Sequence, residues 1–297
     1  MRSRISLIGV VQISGSISFI SVRKRFTEEE LQILRFPYQY TSSQKELEHT
    51  VAVLNRFADA IRAYFEHPDI KKKLSGLHAN LAERKRHCID LIMNLMSRFS
   101  KLLIVRVDLS FARNIETIMK RFHTFSDLHS KDDLKALKAC VKKLLENRRH
   151  NKILDAIEGY ILRFEYSVQT GFHVHAYFMF DGNKHREDIS LGQYIAKYWD
   201  KVCGGQGSTF ICNMKKDEYK YCGIGMLHYH DEEKLAYLIN TFDYICKSDQ
   251  FFKFSTMVGA RAFQFSQQEE KTTNAGRPRN HKTSSVNSSQ LSLVFAE

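Results

Sequence analysis

The chain has 297 residues, enough for one or two domains with a substantial core, and its 43% hydrophobic and 26% charged residues are those of an ordinary globular protein. Only 3 prolines and 14 glycines exclude a linker-rich or low-complexity chain. The formal net charge of +12 favours an anionic partner, of which nucleic acid is the commonest, although an unspecialised basic surface carries the same charge. The cysteines, Cys88, Cys140, Cys203, Cys212, Cys222 and Cys246, include no C-x-x-C pair, which predicts reduced thiols in a cytoplasmic protein and not a disulfide framework.

Residues 5–22 are apolar but diluted by serines, and two arginines precede them. A membrane span wants about 20 mostly apolar residues, and no small-residue cleavage pattern marks a signal peptide. The run reads as part of a poorly ordered extension, residues 1–43, or as a start assigned too early. No other stretch suggests a membrane segment.

The spacing predicts a helix over 44–66, with Leu47, Val51, Leu54, Ala58, Ile61 and Phe65 on one stripe and Pro68 ending it. A second helix is predicted over about 73–99, with Leu77, Leu81, Cys88, Ile92, Leu95 and Phe99 inward. The two would make a helical hairpin, region 44–100, ahead of the main domain. Residues 101–111 then alternate with a period of two, placing Leu103, Val105, Val107 and Leu109 on one face and Arg106 and Asp108 on the other. A helix over 131–149 follows, with Leu134, Leu137, Val141 and Leu145 as its apolar side. Residues 159–180 read as two strands around a glycine-containing turn. A helix near 189–201, a loop with Gly204, Gly205 and Gly207, a short apolar stretch around Ile211 and a helix over 231–246 complete a domain of 101–266. Residues 267–297 form a polar, basic tail of disordered composition. This order predicts an α+β fold, an antiparallel sheet with flanking helices.

The hairpin carries the chemistry. His173 and His175 are two apart on a strand and therefore share a face, opposite Phe172, Val174, Ala176 and Phe178. Two imidazoles so placed are good ligands for a divalent metal. A loop of Gln169, Thr170 and Gly171 would pair Glu165 with His175 and Ser167 with His173, all on one face. A loop one residue shorter would turn Glu165 away. Two half-exposed histidines without a metal are the plainer reading, and Glu165 on the partner strand weighs against it.

Tyr244 and Lys247 lie three apart at the end of the 231–246 helix. An ammonium beside a phenol favours the phenolate and can neutralise a phosphate. Tyr237, seven residues earlier on the same helical side, is the rival nucleophile; both tyrosines could equally be packing residues. His228 and His230 repeat the H-x-H spacing without a long strand to present it. The spacings of Cys203, Cys212, Cys222 and His228 are unlike the tight pairs of structural zinc sites. In the tail, Gly276-Arg277-Pro278-Arg279 could lie in a narrow minor groove, and Phe251, Phe252 and Phe254 alternate with Lys253 and could stack on bases. A solvated tail and core packing explain these two features equally well.

The order of a strand with a polar second face, an H-x-H strand and a Tyr–Lys helix resembles the three-motif layout of HUH endonucleases. More narrowly, the chain resembles the YagK/YfjJ C-terminal domain family, also called inovirus Gp2-like proteins. The resemblance rests on Val105 to Leu109, Glu165, Gly171 to His175, Tyr198-Trp199, Gly223-Ile224-Gly225, Tyr244 to Lys247 and Gly276 to Arg279, and covers roughly 100–280. It implies a phage- or prophage-linked replication protein of rolling-circle type. Glu165, His173 and His175 would hold Mg²⁺ or Mn²⁺, Tyr244 would attack a DNA phosphate, and Lys247 would steady the nucleophile or the metal site. Arg106 and Asp108 would stand behind the ligands or at the metal's approach. Arg277, Arg279 and Lys253 would contact DNA. The expected partner is single-stranded or hairpin DNA in the bacterial cytoplasm. The chain shows no P-loop, so unwinding would fall to a host helicase. A DNA-binding prophage regulator that kept the fold without the activity is the alternative, and a structural metalloprotein a weaker third.

Overall fold

The computed structural model describes residues 22–112, 127–167, 170–246 and 262–267, with only the backbone described for Leu77 and residues 127–131. The chain divides into two compact units, with the boundary at Ala82 and Glu83.

In the first unit, α1 (Glu28–Arg35) opens with a capping box in which the Glu30 amide donates to Thr27 Oγ1 at 3.2 Å and the Thr27 amide donates to Glu30 Oε2 at 3.0 Å. Helix α2 (Gln44–Glu66) has the expected bounds and is capped by Ser43. Its expected inward stripe is corrected: Leu47, Val51 and Leu54 are exposed, and Thr50 and Val53 are buried instead. Three contacts choose that neighbouring stripe. Arg56 pairs with Glu30 at 2.8 Å, Phe57 meets Phe26 edge-on, and the Thr50 hydroxyl donates to the Tyr40 carbonyl.

Helix α3 (Pro68–Arg98) begins on Pro68 at its first position, where a missing amide hydrogen costs nothing. From Glu83 onward it belongs to the second unit, where Cys88, Ile92 and Leu95 are buried as expected, together with Ile89, Leu91 and Met96. The second unit continues with β1 (Lys101–Phe111), α4 (Asp127–Glu146), the short α5 (Lys152–Asp155), β2 (Ile157–Ser167) and β3 (Gly171–Asp181). After these come α6 (Asp188–Val202), β4 (Gly207–Ile211), β5 (Gly225–His228), α7 (Glu232–Cys246) and β6 (Phe263–Phe265).

The strands form one sheet in the order β4-β1-β3-β2-β6, with β5 on the same edge of β1 as β4, and the pairings are antiparallel. The fold is α+β, with helices on both faces of the sheet. On one face, Leu103, Val105, Val107 and Leu109 of β1 and Phe172, Val174, Ala176 and Phe178 of β3 pack with α4 and α6. On the other, Leu102, Ile104, Ile161, Tyr177 and Met179 pack with α3 and α7. Strand β3 is buried along its whole length, because it lies between β1 and β2 under two helical layers. Trp199 of α6 is fully buried and donates its indole N–H to the Ser110 carbonyl at 2.8 Å.

Two details set the edge of the sheet beside the site. β4 pairs with Val107–Phe111 and β5 with Lys101–Ile104, which leaves a gap on β1. The buried Asn213 side chain fills it: its oxygen accepts from the Arg106 amide at 2.8 Å, and its nitrogen donates to the Ile104 carbonyl at 2.9 Å. Asn213 also donates to Asp188, whose two carboxylate oxygens both accept from Lys216 Nζ, at 2.9 and 3.0 Å. Gly223 lets the following loop touch α7, since a Cβ there would sit 2.3 Å from the Leu238 nitrogen. That close approach seats the helix carrying Tyr244.

Candidate metal centre

The site grows from strand parity. On the face covered by α3 and α7, the residues of β1 change from Leu102 and Ile104 to Arg106 and Asp108. Those of β3 change from Met179 and Tyr177 to His175 and His173, and those of β2 from Ile161 to Arg163 and Glu165. Directly paired residues share a face. One row across the sheet therefore reads Phe210, Asp108, His175, Arg163, Phe263, and the next reads Ser208, Ser110, His173, Glu165.

The expected hairpin register is corrected by two residues. Ser167 pairs with Gly171, Glu165 faces His173 and Arg163 faces His175. β2 ends at Ser167, and Gly171 takes the left-handed conformation (φ 63°) as the first residue of β3. Because the slip is even, the three expected ligands stay on one face. The Thr170 amide donates to the Ser167 hydroxyl at 2.9 Å, which ties the end of the turn.

Glu165, His173 and His175 each offer one ligand atom within 4.8 Å of the others. The histidines are 8% and 7% exposed, so they are not the half-exposed pair of the plainer reading. His173 Nδ1 donates to the Gly171 carbonyl at 2.9 Å, which fixes the tautomer with its Nε2 lone pair available. His175 Nδ1 lies 2.7 Å from Asp108 Oδ1, and its Nε2 lies 3.2 Å from Glu165 Oε2. A carboxylate behind a ligating histidine is the usual way its ring is oriented and its basicity raised. Two imidazole nitrogens and one carboxylate on fixed strands therefore fit a divalent cation and leave coordination positions open for substrate. Arg106 lies 3.6 Å from Asp108 and stacks 5.2 Å over the Tyr177 ring.

The electrostatics follow the same contacts. Burial pushes His175 down, but its bonds to Asp108 and Glu165 outweigh this and hold it above its ordinary value. Burial pushes His173 down, only partly offset by the Gly171 carbonyl, and it stays low. The His175 hydrogen bond is the main cause lowering Glu165, with burial opposing and the charges of His175 and Arg163 assisting. Burial raises Asp108, but the His175 bond and the charges of His175 and Arg106 bring it below its ordinary value.

Tyr244 is 54% exposed on the last turn of α7, with its ring centroid 6.4 Å from that of His175. Tyr237 is placed elsewhere: its hydroxyl donates to Glu233 and its ring lies 5.2 Å from Tyr221. Lys247, Lys253, Arg277 and Arg279 lie outside the described residues, as do Phe251, Phe252 and Phe254. The His228 and His230 rings lie 5.5 Å apart, tilted by 39°, and form no ligand group with a third side chain among the described residues. Neither do Cys203, Cys212 and Cys222.

Sequence reasoning missed Arg163. It is 3% exposed, opposite His175, with its guanidinium 4.8 Å over the Phe263 ring. Its signal was present, since it is two residues from Glu165 on the same strand face. Asn213 carried none, because its role exists only where β4 and β5 leave β1 uncovered.

The fold and the triad define an α+β protein with a carboxylate–dihistidine centre able to hold a metal and a tyrosine at its rim. The YagK/YfjJ C-terminal domain matches residues 62–265, more than half of the chain, and the protein belongs to that family. No curated protein and no solved structure matches the chain. Among the described residues, no helix is long and apolar enough to cross a membrane.

Proposed function

We propose that this protein nicks and rejoins single-stranded DNA as a rolling-circle-type replication initiator of a phage or prophage, by the chemistry of HUH endonucleases. The observation that carries the reading is the position of Tyr244, an exposed phenol on a helix end whose ring lies 6.4 Å from that of His175. The basic charge of the chain suits the polyanion. The working place is the bacterial cytoplasm, on single-stranded or hairpin origin DNA opened by a host helicase.

Glu165, His173 and His175 would hold Mg²⁺ or Mn²⁺. A bound divalent cation supplies Lewis acidity, drawing charge from the non-bridging oxygens of the scissile phosphate. Asp108 holds the His175 ring by Nδ1 and so aims Nε2 into the site. Gly171 does the same for His173 through its carbonyl. Tyr244 gives up its proton and its oxygen attacks phosphorus. The bond from phosphorus to the 3′-oxygen breaks, and that oxygen takes a proton. A 5′-phosphotyrosyl link and a free 3′-hydroxyl result, and reversal of the step joins strands. Tyr237 is the poorer nucleophile, because the Glu233 carboxylate that accepts its hydrogen bond holds the phenol protonated.

The test is a covalent adduct. The full chain is incubated with a pool of random single-stranded and hairpin oligonucleotides and Mn²⁺, then denatured. A denaturation-resistant protein–DNA species is expected, absent with Tyr244→Phe and present with Tyr237→Phe. Loss with Tyr237→Phe instead would move the nucleophile. DNA binding without an adduct under Mg²⁺ or Mn²⁺ would replace the enzyme by a DNA-binding prophage regulator.

A further inference from the structure

Apart from Met93 and Tyr229, every exposed large apolar side chain described in the sheet unit is one of Phe210, Met214, Tyr219, Tyr221 and Tyr244. Large exposed apolar groups gathered on one side mark a binding surface more than scattered ones do. Phe210 lies on β4, Met214 and Tyr219 on the segment that follows it, and Tyr244 beside His175. Phe210 pairs with Asp108, which pairs with His175, so its 53% exposed ring stands on the same sheet face as the triad. Tyr219 interacts with the Cys212 thiol, and the charge of Arg106 acts on both. The Tyr221 ring lies 5.2 Å from that of Tyr237, which sits two turns before Tyr244 on α7. Cations stand among them: Lys220 lies 5.1 Å over the Tyr221 ring, and Arg106, whose guanidinium lies over the Tyr177 ring, acts on Tyr219 by its charge. Of the nearby acids, Glu218 is paired with Lys215 at 2.6 Å, Glu233 is engaged by Tyr237, and Asp217 adds one negative charge.

We propose that this strip, from Phe210 through Tyr219 and Tyr221 toward Tyr244, is a base-stacking platform for single-stranded DNA. Alternating aromatic faces and cations suit a strand whose bases are unpaired and whose backbone is anionic, and every base has a stacking face whatever its identity. A protein partner would bury the rings as well, but it would have no use for the Lys220 cation set over Tyr221. A duplex keeps its bases stacked internally and cannot offer them. The proposal rests on the nicking reading only for where the strand leads, because stacking needs no metal.

The experiment is fluorescence anisotropy of the full chain with labelled oligo-dT in EDTA, where no strand is cut. Phe210→Ala and Tyr221→Ala are each expected to weaken binding about tenfold, and Met93→Ala and Tyr229→Ala to leave it unchanged. An abasic strand of equal length should bind weakly and ignore the first pair. Phe210→Trp, which keeps a stacking face, should bind as the parent does and guards against a folding defect. Parent-like binding by both alanine variants, or duplex binding as tight as single-strand binding, overturns the platform. If adducts form at Tyr244 while these variants bind normally, the nicking reading stands and the platform falls. If the variants lose affinity but no adduct ever forms, the reverse holds.

Discussion

The sheet face under α3 and α7 has two halves made by the same strands. In one half, Leu102, Ile104, Ile161, Tyr177 and Met179 are sealed beneath Leu91, Ile92, Leu238 and Phe242. In the other, at the same parity a few residues along, stand Asp108, Arg163, Glu165, His173 and His175. Strand geometry does not distinguish the halves, and what lies over them does. The last turn of α7 marks the border, burying Ile245 and Cys246 while leaving Tyr244 exposed near His175. The apolar half is held by burial, and its neighbour is held by rigid strands plus hydrogen bonds to Asp108 and the Gly171 carbonyl. A site whose groups repel one another when unpaired is affordable because the adjoining core fixes its frame.

The comparison predicts that the halves fail separately. The largest effect belongs to His175→Ala, which removes a ligand and leaves Asp108 and Glu165 facing each other. Titration calorimetry with Mn²⁺ should show metal binding lost and far-ultraviolet circular dichroism should be unchanged. A global loss of structure would mean that the polar half carries the fold after all.

Next comes Phe242→Ala on the apolar side. Phe242 is fully buried, with its ring 6.0 Å from that of Tyr177. Deleting it should cost about 3–5 kcal/mol of stability in chemical denaturation. Metal affinity of the protein that remains folded should be nearly unchanged, and a parallel collapse of metal binding would couple the halves.

The smallest effect is expected from Asp108→Asn, which should weaken metal binding by about 10- to 100-fold and shift its pH profile. His175 is held above its ordinary value of 6.5, so its proton competes with a metal until the pH rises through that raised value, and affinity climbs over the interval. Without the Asp108 charge the climb should move to lower pH. The metal-free fold runs the other way for this group: the His175 bridge stabilises fully below 6.5 and is lost as pH rises through the folded value. Glu165 and Asp108 are lowered, so their contributions are present above their ordinary 4.5 and 3.8 and are lost as pH falls through the folded values. His173 is also lowered, so the advantage of keeping it neutral is complete above 6.5 and fades as pH falls through its folded value. An unmoved profile in Asp108→Asn would show that the carboxylate is a bystander.

Much of this was legible in the sequence. Period-two spacing put Arg106 and Asp108 on the face opposite Leu103 and Val105, and placed His173 and His175 together. Those inferences need only local strand geometry. The hairpin register was not legible, because its turn could close at 168–170 or at 169–171 with the same parity. The α2 stripe was misread for a related reason. Leu47 and Thr50 lie on neighbouring faces of a helix, and only the partners Glu30, Phe26 and Tyr40 decide which turns inward.

The sequence by itself determined the longer elements, the composition of each strand face and the three candidate ligands, because side-chain direction in a strand follows from chain position alone; it did not give the helix Glu28–Arg35 inside the expected extension, nor the short strands Gly225–His228 and Phe263–Phe265. The tertiary structure decided that Asp108 backs His175, that Arg163 lies beside Glu165, that Asn213 closes the sheet edge and that Tyr244 and not Tyr237 reaches the triad. Apart from Arg163, whose place beside Glu165 follows from strand spacing, each of these is a meeting of segments far apart in the chain, fixed by how strands pair and helices pack, and no local spacing encodes it.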